Sequence, residues 1–144
     1  MVDEAECHVR QRVPGGKFRL GALDSMAATR LPAPLAQLHA QHPTLELELS
    51  TGISKWLHDA LLDNRLDAAF LADAPPDGRL ERLAIFEEEL FIIAPAGQKA
   101  IHTPDDIRNG TVLAFSDGCS YRDRLLGWYQ AHQRKPQRIV EMTS

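Results

Sequence analysis

Residues 44–72, TLELELSTGISKWLHDALLDNRLDAAFLA, change hydrophobic period twice. TLELELS (44–50) alternates strictly, with Leu45, Leu47 and Leu49 on one face of a strand and Glu46 and Glu48 on the other. In TGISKWLHDALLDNRL the apolar residues Trp56, Leu57, Ala60 and Leu61 recur at helical spacing, and Thr51 to Ser54 form the entrance. LDAAFLA (66–72) is a short, nearly continuous apolar run, as expected of a strand covered on both faces. Strand, helix and strand in this order predict a parallel pair joined by a crossover helix.

The pattern extends in both directions. KFRLGAL (17–23) reads as a strand, and DSMAATRLPAPLAQLHAQHP as a helix that Asp24 or Ser25 can cap. Pro32 and Pro34 make its first part irregular, so regular helix should begin near one of them, with Leu31, Leu35 and Leu38 inward. Downstream, DAPPDG is a loop. LERLAIFEEELFIIAP (80–95) reads as a long strand, kinked near Glu87 to Glu89, where composition points to a change from one lobe to a second. TPDDI predicts a short helix with Thr103 as cap and Pro104 at its first position. TVLAF (111–115) is a strand. SDGCSYRDRLLGWYQAHQRK is a turn feeding a helix from Arg122 onward, with Leu125, Trp128 and Tyr129 inward, and RIVEM (138–142) is a last strand. The class is α/β, with a mostly parallel sheet and helices on its faces.

Composition narrows the function. A chain of 144 residues makes one ordinary domain or two very small ones. The net charge of -4, from 16 basic and 20 acidic residues with no basic block, makes this chain alone a poor ligand for a phosphate backbone. The apolar runs fall far below the roughly 18 residues of a membrane span, and MVDEAECHVRQR lacks a signal peptide's apolar segment. The expectation is a soluble, cytoplasmic protein with no membrane partner. Two cysteines, Cys7 and Cys119, are too few for a disulfide scaffold. GCSYR is not a nucleophile elbow, and Gly15–Gly16 precede a strand where a dinucleotide loop would follow one. No enzymatic activity and no cofactor are expected.

Three strand-to-helix turns are rich in hydroxyls: LDSMAAT, LSTGIS and FSDGCS. Backbone N–H groups and the positive helix end make such turns anion sites, and in open α/β sheets ligands bind beyond the carboxyl ends of the strands. Each serine or threonine alone reads as a cap; recurrence on one sheet edge favours a shared small anion. His39 and His42 lack a third ligand and read as dipole-favoured residues at a helix end, so no metal is expected. Glu87, Glu88 and Glu89 read as a solvated edge. Cys119, at a helix start beside Arg122 and Arg124, has the setting of a low-pKa thiol, but its only fellow, Cys7, is distant in sequence.

As an ordered set, LGALDSMAATRLPAPL, HPTLELELSTG, LDAAF, EEELFIIAP and VLAFSDGCSYRDRLLGWY resemble the effector-binding domain of LysR-type transcriptional regulators over residues 16–144. The resemblance implies a type II periplasmic-binding-protein-like fold of two lobes around a cleft, joined by crossing hinge strands. Residues 1–15 would be a linker remnant or a disordered N-terminus, 16–91 lobe I, and 92–144 an incomplete lobe II. It implies a small-molecule effector held by Ser25 and Thr29, by Thr51, Gly52 and Ser54, and by Cys119, Ser120 and Tyr121, with Ser144 opening the next ligand-facing turn. Trp56 or Tyr121 would line the apolar side. The family's helix-turn-helix and the return part of the domain are absent from the sequence, so DNA contact would run through a domain outside this chain, and a homo-oligomer, dimer or tetramer, is implied. Two alternatives share these residues: a periplasmic-type solute-binding protein, and a redox sensor working through Cys119.

Overall fold

The computed structural model describes residues 15–73, 76–85 and 87–143. Residues 1–14 and Ser144, expected as linker remnant and ligand-facing turn, lie outside the described residues. The chain divides into two compact units, one ending at Leu71 and one beginning at Ala72. The expected lobe limit, at residue 91, lies further along the chain.

The first unit is a three-stranded parallel sheet in the order β2-β1-β3, built from β1 (Gly16–Ala22), β2 (Leu45–Thr51) and β3 (Ala68–Phe70). Helices α1 (Asp24–Thr29) and α2 (Pro32–Gln41) follow β1, and α3 (Ser54–Leu62) joins β2 to β3. The break between α1 and α2 falls at the prolines, because Pro32 fixes a helical φ but supplies no N–H to continue the preceding helix.

Burial rises along β1 toward its C-terminal end, where Leu20 and Ala22 pack with Leu31, Met26, Ala27, Leu35, Ala68 and Phe70. Gly21 points to the opposite face. A Cβ there would lie 2.5 Å from Leu66 Cδ1 and 2.7 Å from Leu57 Cδ2, so glycine lets α3 approach the sheet closely. The alternation of β1 thus packs one face against α1 and α2 and the other against α3, the two-sided cover that parallel sheets require.

Two sequence expectations are corrected in this unit. Leu49 is exposed although its alternation matches the half-buried Leu45 and Leu47: among the described residues β2 is an edge strand, whose face is only partly covered. Trp56 is 39% exposed while Leu57 and Ala60 are fully buried, so the buried stripe of α3 runs through positions one residue on.

The second unit holds two short 3₁₀ turns (Pro104–Asp106 and Arg108–Gly110), then β4 (Thr111–Phe115), α4 (Ser120–Ala131) and β5 (Arg138–Met142). β4 and β5 pair in parallel, with Phe115 opposite Met142. Thr103 and Asp106 form a capping box, with Pro104 at the first helical position as expected. Val112 and Ala114 are buried and Leu113 is 60% exposed, so the strand alternates between a covered and an open face.

The long strand expected at 80–95 does not form: the described residues of that span carry no strand. An extended segment becomes a strand only where a neighbour takes up its N–H and C=O groups, and no described segment pairs with it. Its apolar residues stand in solvent instead, with Leu83, Phe91 and Ile93 at 83, 79 and 95% exposure.

Candidate functional site

The parallel register fixes where the strands end. Ala22 lies opposite both Thr51 and Phe70, so the turns after β1 and β2 open on one sheet edge. Gly52 N donates to Ala22 O at 3.1 Å and Leu23 N to Phe70 O at 3.3 Å, tying that edge together. In the second unit the turn after β4 opens beside the end of β5.

The hydroxyls at these turns are not the caps that sequence reasoning made the simpler reading. The N-cap residues of α1, α3 and α4 are Leu23, Ile53 and Cys119, and none supplies a side-chain cap. Asp24 and Ser25 lie inside α1, Ser54 is the first residue of α3, and Ser120 is the first of α4. The helix from SDGCSYR therefore starts two residues earlier than the expected Arg122. Three helix starts at strand C-terminal edges thus present first-turn N–H groups that no side-chain oxygen of the N-cap residue covers, the local geometry that receives anions.

Each unit brings together its own share of the expected residues. Ser25 and Thr29 stand one helical turn apart on α1, both exposed, and the Thr29 hydroxyl donates to Ser25 O at 2.7 Å. Thr51 is the exposed end of β2 and Gly52 follows it. A Cβ on Gly52 would lie 2.8 Å from Trp56 Cε3, so the Trp56 ring rests against the turn itself. Arg65 covers that ring from 5.3 Å, a cation–π contact on the surface.

In the second unit Cys119 N donates to Ser116 O at 3.2 Å, closing a four-residue turn. Gly118 adopts φ 86°, a backbone that favours glycine. Cys119 and Ser120 are buried, at 5 and 4% exposure, and Tyr121 is half-buried with its ring 6.2 Å from that of Phe115. Burial shields the Cys119 thiol from solvent oxidants. The two arginines that sequence reasoning placed near the sulfur are engaged elsewhere. Arg122 Nη1 donates to Phe115 O at 2.9 Å and to Glu141 at 3.0 Å. Arg124 grips Asp73 through Nε at 2.6 Å and through Nη2, which holds the Asp73 carboxyl below its ordinary value.

Sequence reasoning missed the Trp56 contact with Gly52 and the Arg122 link to Glu141. Helical spacing assigned Trp56 to the core, and nothing local pairs positions 122 and 141. Among the described residues no group of three His, Cys, Asp or Glu is arranged to hold a metal ion, and no helix is long and apolar enough to cross a membrane.

The profile of the LysR substrate binding domain matches residues 11–144. The chain belongs to the LysR substrate-binding domain family. Among its relatives are the HTH-type transcriptional regulators YusT of Bacillus subtilis (strain 168), 34% identical over 82% of this chain, and SoxR of Arthrobacter sp. (strain TE1826), 30% identical over 89%. The chain spans 39 and 43% of those two proteins, under half of their length. The BenM effector binding domain with its effector benzoate superposes with a TM-score of 0.68 at 24% identity, over 89% of this chain and 61% of that one. Full-length BenM, as the E226K mutant, gives 0.69 at 23% identity over 97% of this chain and 49% of that one. The fold of this LysR-family chain is therefore the α/β, type II periplasmic-binding-protein-like one.

Proposed function

We propose that this chain is the effector-sensing part of a LysR-type DNA-binding transcriptional regulator. A small molecule, of which a carboxylate is the favoured class, binds between two lobes and shifts a homo-oligomer between conformations that present its DNA-binding heads differently. The observation that carries this reading is the set of three helix starts at C-terminal strand edges of a LysR-family chain, each with an N-cap residue that supplies no side-chain cap. The contacts proposed for the effector are Ser25, Thr29, Thr51, Gly52 and Ser54 in the first unit and Cys119, Ser120 and Tyr121 in the second, together with Ser144. Trp56, lying against Gly52, supplies the apolar side. The chain acts by binding and performs no catalysis, DNA contact belongs to a helix-turn-helix domain, and the location is cytoplasmic.

The test is a thermal-shift titration of the 144-residue chain with benzoate and a series of aliphatic carboxylates. A ligand at 100 times its Kd adds about 2.7 kcal/mol to the folded state, a saturable rise in Tm. Ser54→Ala and Ser120→Ala should each weaken that response. A series in which no carboxylate raises Tm saturably would sink the carboxylate reading.

A further inference from the structure

We infer that Arg122, with Glu141, is a positioning residue for the second-unit half of the effector site, an inference that rests on the function proposed above. Residues Ser116 to Cys119 form the turn that delivers Ser120 and Tyr121. The turn is bracketed by Phe115, the last residue of β4, and by Arg122 in the first turn of α4. The 2.9 Å bond from Arg122 Nη1 to Phe115 O joins these two brackets directly. The same nitrogen donates to the Glu141 carboxylate at 3.0 Å, one residue short of the end of β5. One guanidinium nitrogen, through its two N–H groups, therefore ties the end of β4, the start of α4 and the end of β5 around the turn.

The group is held inward at a cost. The Arg122 side chain is only 17% exposed, and its Nε is buried with no hydrogen-bond partner. A buried donor left unpaired is unfavourable, so the pose persists because the two Nη1 bonds and the surrounding packing fix it. The contrast with Arg134 is informative: its pair with Asp105 has good two-point geometry, but both side chains are more than half exposed and it brackets no turn. A lysine at position 122 would keep the charge but lose the planar group that aims the two N–H bonds of Nη1 in fixed directions. That fixed geometry makes Arg122 the residue through which β5 sets the angle of the Cys119–Tyr121 turn.

Cys119 reports on that turn without any ligand. In a Cys7→Ser background of the whole chain, labelling of Cys119 by a thiol-specific disulfide reagent measures how often the turn opens. Arg122→Met and the milder Glu141→Gln should each speed labelling by roughly tenfold. Arg134→Met, which breaks a surface pair elsewhere in the unit, should leave the rate unchanged. Benzoate titration of the same variants should show weakened binding for Arg122→Met and unchanged binding for Arg134→Met. The inference is overturned if Arg122→Met and Glu141→Gln label within about twofold of the parent, or if Arg134→Met speeds labelling equally. A parent chain that does not bind benzoate counts against the carboxylate reading, while the labelling rates still decide the role of Arg122.

Discussion

Two glycines show how one missing Cβ acts differently in different surroundings. At Gly21 the space is taken by Leu57 and Leu66, both in the interior. Gly21→Ala forces the sheet and α3 apart and should lower stability by about 1–3 kcal/mol, read as a lower urea midpoint. At Gly52 the obstacle is the Trp56 ring, which is partly in solvent and can swing outward. Gly52→Ala should therefore cost less stability but move tryptophan emission to longer wavelength, as the ring leaves the turn. Leu57 is fully buried, and Leu57→Ala should cost about 2–5 kcal/mol in the same urea assay. Apolar periodicity placed Leu57 and Ala60 correctly and Trp56 wrongly, because a helical repeat fixes which residues share a stripe but not where the stripe's centre faces.

At the scale of elements, β1 and β3 are joined by more than their ladder. Arg19 donates to Asp67 from its backbone N–H at 2.8 Å and from its guanidinium at 3.1 and 2.7 Å. These bonds, the side-chain one foremost, lower the Asp67 carboxyl from its ordinary 3.8 to about 2. A carboxylate whose folded value is depressed stabilises the fold above its unfolded value, and that stabilisation is lost as pH falls through the folded one. Asp67→Asn should thus lower Tm at neutral pH, and its gap from the parent should close between about pH 4 and pH 2. A gap that stays constant over that range would remove the Arg19 pairing as its cause. The strands themselves were legible at Gly16–Ala22, Leu45–Thr51, Thr111–Phe115 and Arg138–Met142, since each combines apolar content with flanking turn residues. The span 80–95 has the same composition and forms no strand, because composition describes a segment's preference and pairing needs a second segment.

At the scale of the whole molecule, the consequence of that unpaired span is a run of exposed apolar side chains, Leu83, Ile85, Leu90, Phe91, Ile92 and Ile93. Exposed apolar side chains in such number promote association. Replacing Phe91 with Ser and Ile93 with Lys should raise the fraction of the 144-residue chain that elutes as monomer in size-exclusion chromatography, with little change in Tm. An unchanged elution profile would show that the exposed run does not drive association.

The sequence by itself determined the α/β class, the parallel order of the elements, the three hydroxyl-rich turns and the family resemblance, because hydrophobic period, proline placement and turn residues act over a few neighbouring positions. The tertiary structure alone decided that Leu23, Ile53 and Cys119, not the hydroxyls beside them, are the N-cap residues at the three turns, that Trp56 lies against Gly52, that Leu49 is at an edge, and that Arg122 reaches Glu141. The last two depend on segments distant in the chain meeting in space, and the first two on how the backbone enters a helix and which way a side chain turns there. Local pattern carries no record of which partner a side chain will find.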